Sequence, residues 1–306
     1  MDWVDKNLQL RFCLSDFRLF TMRFGGLAQR CGGDLNSIPP IERASFPPGV
    51  EVISLTDCPI AGPMPRLQFE DGFFRYTINQ CFQYSIDMGG TFQGYLATLS
   101  SKTRSTLKRK VRKFAEAGEG VLDVRKYNTA DEMPEFHRLA RTVAAETYQE
   151  RLFEGAIPEG ETFCQHLVAL ANEGRVRGFL LFLGGEPISY LYLPVQDDVL
   201  EYSYLGYKPS ASALSPGTVL LYLALESLFS EQRFRKFDFS YGQSQTKEVF
   251  CTDKNLRADI HYFRKTANNL LCVLSHAGID SMSATCGRLA GRLGVRQKIR
   301  KLLRSA

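Results

Sequence analysis

Three strand-like runs, RVRGFLLFL (175–183), PISYLYLPV (187–195) and VLEYSYLGY (199–207), follow one another with only GGE and QDD between them. Spacers of that length and composition make hairpins, so the three runs form an antiparallel meander. A polar loop, KPSASALSPG (208–217), and a strongly apolar helix, TVLLYLALESLFSEQ (218–232), come next. They lead to a strand (235–240), a short helix (244–251) and a last strand (258–266). Upstream, LSSKTRSTLKRKVRKFAEAG (99–118) reads as a helix with Leu107, Val111 and Phe114 on one face and Gly118 at its end. A strand (121–127) and two helices (129–149 and 161–174) follow, the first opening on a capping box of Thr129 and Glu132. From residue 121 the order is β-α-α-β-β-β-α-β-α-β. A meander followed by helical crossovers predicts an α+β fold, with a mixed, mainly antiparallel sheet flanked by helices, not a doubly wound sheet.

Residues 1–98 are strand-rich and irregular. FRLFTMRF (17–24), VEVISL (50–55) and FFRYTINQCFQYSIDM (73–88) alternate with Pro- and Gly-rich breakers. The expected organisation is an N-terminal lobe (1–98), a regular α+β domain (99–270) and a basic helical tail (271–306). The hydrophobic content of 44% is enough to build a sizeable core.

The net charge of +5 is concentrated in two places. SKTRSTLKRKVRK (101–113) and CGRLAGRLGVRQKIRKLLRSA (286–306) each carry seven basic residues and no acid, so the rest of the chain is acidic in balance. Such asymmetry points to an anionic partner. As a helix, the tail places Leu289, Leu293, Ile299, Leu302 and Leu303 among those bases. It would either lie on an anionic membrane surface or pack its apolar face on the protein body. The eight cysteines include no C-x-x-C and the four histidines lack metal-ligand spacing, so reduced thiols and no metal are expected. The start has no signal-peptide pattern, and no window supplies the roughly 20 apolar residues of a spanning helix. A cytoplasmic protein is expected, peripheral at the inner membrane face if the tail attaches.

Three segments have the residue types for chemistry. Ser212, Ser215, Gly217 and Thr218 surround the start of the apolar helix, where free N–H groups and the helix dipole favour phosphate. Gly217 leaves room for close approach. Taken alone, the same segment is an ordinary Ser-capped helix. Asp238 ends a strand shortly before Tyr241 and Lys247, and a lysine there would neutralise an oxyanion or a phosphate. Glu146, Tyr148 and Gln149 cluster at a helix end that faces a Gly/Pro stretch, a place to hold a polar acceptor. The basic helix with Arg104 suits an anionic acceptor, a nucleotide phosphate or RNA. No G-x-S-x-G, Walker loop, G-x-G-x-x-G or H-E-x-x-H occurs, which removes the commonest hydrolase, P-loop, Rossmann and zincin readings.

Taken in order, these segments resemble the acetyltransferase domain of CelD/BcsL-like proteins, a branch of the GNAT superfamily linked to bacterial polysaccharide synthesis. More distantly, they are similar to the Fem-type aminoacyltransferases. The resemblance rests on SKTRSTLKRKVRK, GFLLFLGGEPISYLYLP, Ser215-Pro216-Gly217, Thr147-Tyr148-Gln149, and FDFSYG followed by Lys247 and Phe250, about half the chain. Two positions depart from the pattern: Thr246 stands where an aromatic precedes the lysine, and SASALSPG is poorer in glycine than the usual pyrophosphate loop. The resemblance implies a GNAT-like fold with a degenerate N-terminal lobe, and acyl-CoA as co-substrate with its pyrophosphate at Ser212, Ser215, Gly217 and Thr218. It implies an acceptor near Tyr148, Gln149, Arg104 and Tyr241, and an oxyanion assisted by Lys247. Glu146 or Asp238 would serve as base, or proximity alone would suffice. An aminoacyl-tRNA donor, with RNA held by the basic segments, and a catalytically inactive binding protein are the alternatives.

Overall fold

The computed structural model describes residues 4–5, 7–14, 17–31, 38, 41, 46–147, 156–242 and 244–292. In chain order the strands begin with β1 (Val4–Asp5), β2 (Leu8–Leu14), β3 (Phe17–Phe24), β4 (Gly26–Arg30), β5 (Val52–Pro59), β6 (Leu67–Phe69) and β7 (Phe73–Asp87). Helices α1 (Phe92–Thr98) and α2 (Ser101–Ala117) lead to β8 (Asp123–Tyr127), α3 (Met133–Glu146) and α4 (Glu161–Asn172). Then come β9 (Val176–Leu183), β10 (Glu186–Gln196), β11 (Val199–Glu201), β12 (Tyr204–Tyr207) and α5 (Pro216–Ser230). The chain closes with β13 (Lys236–Tyr241), α6 (Gln245–Phe250), β14 (Asp253–Arg264) and α7 (Ala267–Arg292). It forms two compact units, one of residues 82–255 and one of 1–81 with 256–306.

In the unit of residues 82–255 the strand order is β7-β13-β11-β10-β9-β8, with β12 also on β10. The expected meander is present. Gly184 and Gly185, at φ 59° and 81°, turn β9 into β10. Two residues with positive φ match the twist of the strands they join, and glycine adopts both without steric cost. Asp197 and Asp198 make the equivalent turn into β11. Side chains alternate along β9: Phe179 and Leu181 enter one core with α1, α2 and α5, while Leu180 and Phe182 enter another with α3 and α4. Helices therefore cover both faces, which is why β9 reads as a continuous apolar run.

The expected single strand 199–207 is broken. β11 lies antiparallel to β10 and parallel to β13, with Glu201 opposite Asp238. Tyr202 N–H still donates to the Asp238 carbonyl at 2.8 Å. Beyond it, β12 continues on β10 and pairs with no other strand among the described residues. The gap between β12 and β13 opens at this point.

The other unit has strand order β1-β4-β5-β14-β7, with β6 on β7, and a separate β2–β3 hairpin. One face of its sheet packs Val52, Phe74, Tyr76 and Phe263 against Leu10 and Phe12 of the hairpin and Val273 of α7. The opposite face packs Ile53, Leu55, Ile260 and Tyr262. No helix among the described residues is long and apolar enough to cross a membrane.

Candidate functional site

The first turn of α5 is set up by its leader. A 3-10 turn, Pro209–Leu214, ends on Ser215 in the left-handed region (φ 54°, ψ 47°). Pro216 then opens the helix where a missing N–H costs nothing. The N–H groups of Thr218 and Val219 both reach the Ser215 carbonyl. No described acceptor takes the Gly217 N–H, which is the free main-chain donor of this turn. A Cβ on Gly217 would lie 2.8 Å from Leu205 Cδ2 and 3.3 Å from Tyr207 Cδ1. A side chain here would force Leu205 to shift, so close helix-on-strand packing favours the glycine.

Helix α2 brings cations to this end. Ser100 caps it, and Leu107 and Phe114 bury in the core it shares with α5. Lys110 Nζ donates to Thr218 Oγ1 at 3.3 Å, and Lys113 Nζ donates to the Ala213 carbonyl at 3.0 Å. Between α2, the start of α5 and α6 lies a cavity of about 410 Å³. Lys102, Thr103, Thr106 and Lys110 line it from α2, Thr218 from α5, and Gln245, Thr246 and Val249 from α6. Two lysines, first-turn residues of α2, α5 and α6, and no carboxylate in the lining make an environment for an anion.

The other candidate residues have local partners. Asp238 accepts from Gln83 Nε2 at 2.6 Å through one oxygen and from Ser240 N–H at 2.7 Å through the other. It thereby fixes the left-handed Ser240 (φ 59°) where β13 turns out of the sheet. Gln83 Oε1 is buried with no partner among the described residues. Lys247 Nζ donates to the Tyr241 carbonyl at 2.5 Å, tying α6 to the end of β13, and Tyr241 itself is exposed. Glu146 pairs at 2.7 Å with Lys208, which is buried and also meets Glu186. Hydrogen bonds to Glu146 and then Glu186 raise the Lys208 ammonium above its ordinary range. The Arg104 guanidinium lies on the carbonyls of Leu96, Ala97 and Leu99 at the end of α1. Ser212 is exposed, its carbonyl accepting from Ser215 N–H. Tyr148 and Gln149 lie outside the described residues.

Of the expected site residues, Thr218 lines the cavity, and Ser212, Ser215, Gly217, Arg104, Glu146, Asp238, Tyr241 and Lys247 do not. The sequence reading did not single out Lys102, Thr106 and Lys110. Their i, i+4, i+8 spacing marks one side of α2, but charge all around that helix concealed it. Among the described residues no cluster of three or more His, Cys, Asp or Glu could hold a metal.

Residues 101–248 match the model of the acetyltransferase (GNAT) domain. The fold is GNAT-like. No curated protein matches the chain. Among solved structures, the C-terminal domain of a putative lysylphosphatidylglycerol synthetase from Agrobacterium fabrum is 11% identical with a TM-score of 0.48, covering 76% of this chain and 73% of that one. FemX is 11% identical with a TM-score of 0.47, covering 74% and 75%. A GCN5-related N-acetyltransferase from Kribbella flavida is 9% identical with a TM-score of 0.34, covering 71% and 68%.

Proposed function

We propose that the chain is an acyltransferase that takes an acyl group from acyl-CoA and delivers it to an amine or hydroxyl acceptor, the resemblance to CelD/BcsL-like proteins pointing to an envelope saccharide. The observation that carries this reading is the cation-lined cavity at the start of α5, whose lining, Val249 and Phe250 apart, falls in the segment that matches the GNAT domain model. CoA phosphates would meet Lys102, Lys110, Thr218 and the Gly217 N–H. The thioester would run into the gap between β12 and β13. The alternation of an antiparallel pair turns the main-chain groups of Leu205 and Tyr207 away from β10, toward that gap. A donor there would polarise the thioester carbonyl. Asp238 and Glu146 both hold structural partners, so Asp238 acts by positioning the end of β13, and the thioester reacts through proximity and orientation of the acceptor.

The test is thermal stability with CoA and acetyl-CoA. A ligand at about a hundredfold its Kd adds about 2.7 kcal/mol to the folded state. The wild type should show the corresponding rise in melting temperature, and Lys110→Glu should weaken donor binding by about tenfold or more, because it places like charge beside the phosphates. Gly217→Glu is a poor probe, since its side chain collides with Leu205 whether or not a donor binds. A folded wild type that responds to no CoA ester overturns the acyl-CoA reading.

The exposed outer side of α2, with Lys108, Arg109 and Arg112, favours a second reading in which the donor is an aminoacyl-tRNA. RNA binding that weakens steeply with salt, together with no response to CoA, would select it.

The basic tail makes a separate proposal. Residues 293–306 lie outside the described residues, and α7 runs to Arg292. If the tail lies on anionic headgroups, the intact protein should co-sediment with anionic and not neutral vesicles, and deleting 293–306 should abolish this without lowering the melting temperature. A deletion that leaves vesicle binding intact rejects the membrane role.

A further inference from the structure

The unit of residues 1–81 and 256–306 holds a second cavity, of about 580 Å³, with a different chemistry. Its origin is visible in the strand register. At one end of the sheet Gly26, Val52 and Phe263 lie side by side on β4, β5 and β14, and Val52 and Phe263 are fully buried in the core. Two residues along each strand, on the same face, the row becomes Ala28, Ser54 and His261. Further along, Thr56 and Asp259 continue that face. Apolar packing gives out after one row, and the side chains that follow are too small to fill the space beneath Leu8 and Leu10 of β2.

Polar groups in the lining are buried and held in place. Ser54 and His261, 5% and 4% exposed, are bonded at 2.7 Å between Oγ and Nδ1. No described residue meets His261 Nε2, and His261 lines the cavity. His276 is fixed by Tyr76 Oη at 2.8 Å and by the Arg11 carbonyl at 3.2 Å. Asp259 accepts from Asp57 N–H at 3.0 Å and from Asn79 Nδ2 at 3.1 Å, and each carboxylate oxygen retains a further lone pair.

Charge in the lining cancels. Arg11 and Asp259 oppose each other, and burial holds both imidazoles neutral at physiological pH, pushing His261 down to about 4 and His276 below its ordinary range. What remains is a set of neutral donors and acceptors from Ser54, Thr56, Asn79 and His261. The adjoining Asp259 carboxylate and Asn79 amide give acceptor and donor side by side. Leu8, Leu10 and Ile78 supply an apolar wall. Paired donors and acceptors fit adjacent hydroxyls, and an apolar wall fits the C–H face of a ring.

We propose that this cavity binds an uncharged, polyhydroxylated ligand of mono- to disaccharide size, through Ser54, Asn79, Asp259 and His261. The volume lies within the range of about 300–1,000 Å³ usual for small-molecule sites. The proposal does not depend on the acyltransferase reading, because every lining residue belongs to the other unit.

Saturation-transfer NMR and titration calorimetry on the full chain, with D-glucose, D-galactose, N-acetyl-D-glucosamine and maltose, would test it. At least one of these sugars should bind saturably. Ala28→Leu, which fills the cavity, and His261→Phe, which keeps the ring and removes its nitrogens, should each weaken that binding by about tenfold or more, the worth of one lost hydrogen bond. Lys110→Glu should leave it unchanged. Circular dichroism checks each fold, and if Ala28→Leu does not fold, Ala28→Val with His261→Phe carries the test. The proposal is overturned if none of the four sugars binds the wild type. It is also overturned if a sugar binds both cavity variants as tightly as the wild type, or loses binding in Lys110→Glu.

Discussion

An Arg177→Met protein should melt roughly 6–20 °C below the wild type, from a loss of about 3–5 kcal/mol. Arg177 is 4% exposed on β9. Its guanidinium forks onto Glu231, with Nη2–Oε2 at 2.8 Å and Nε at 3.1–3.2 Å from both oxygens. Lys126 Nζ reaches the same carboxylate at 2.7 Å, and Phe234 lies 5.2 Å from the guanidinium carbon. Removing the arginine leaves a half-desolvated carboxylate with one partner in place of two, which is the costly way to break a buried pair. Burial pushes the Glu231 carboxyl up, but hydrogen bonds from Arg177 and Lys126 outweigh it and hold the group below its ordinary value. A folded-state value below the unfolded one means stability that is present above the unfolded value and lost as pH falls through the lowered one. Acidification should therefore destabilise the wild type more than Arg177→Met over that range. Denaturant unfolding at neutral and acidic pH measures both effects. A variant within 1 kcal/mol of wild type at neutral pH would show that the pair contributes little to stability.

Phe114→Ala should cost a similar amount, about 3–5 kcal/mol, because it empties a fully buried aromatic site. This residue also links folding to the site. Helix α2 has charge on most of its surface and is held to its unit by Leu107 and Phe114, with Val111 partly buried between them. Lys110 lies one turn before Phe114. Shortening the aromatic should loosen the helix that presents the lysine, so the thermal response to CoA should fall along with stability. Phe114→Leu, which leaves a smaller void, should retain most of both. If Phe114→Ala is destabilised as expected yet binds CoA with wild-type affinity, α2 does not present the donor site.

Regular periodicity made the chain legible from residue 99 onward. The basic helix, the capping box of Thr129 and Glu132, the three meander strands and the apolar helix all lie within a few residues of where spacing and turn chemistry put them. The split of 199–207 into β11 and β12 was hidden, because VLEYSYLGY has strand composition throughout and the break depends on β13 ending its pairing at Glu201. Helix α1 was hidden too: it is seven residues long, contains Gly94 and follows a strand-rich segment. In the first hundred residues FRLFTMRF was recognised as β3, whereas its partner β2 and the five-residue β4, which lies between β1 and β5, were not. The candidate site was the least legible part. Residue types identified Asp238, Glu146, Arg104 and Lys247 as chemically apt, but tertiary contacts engage each of them in holding an element end. Which of seven basic residues in α2 face the start of α5 depends on how Leu107 and Phe114 seat the helix, and that is a property of the packed core.

The unit formed by 1–81 and 256–306 is interrupted by the whole of the other unit, and this sets an order of events during synthesis. Ser54 on β5 and His261 on β14 are direct neighbours 207 positions apart in sequence. At roughly 5–20 residues per second, β5 leaves the ribosome on the order of 10–40 seconds before the strand that completes its sheet. Residues 82–255 have by then emerged as an uninterrupted segment. The N-terminal strands must wait with an open edge beside β5, in the state in which unpaired strands recruit other chains. Nascent chains halted shortly before residue 256 should therefore depend on chaperones far more than those released at full length.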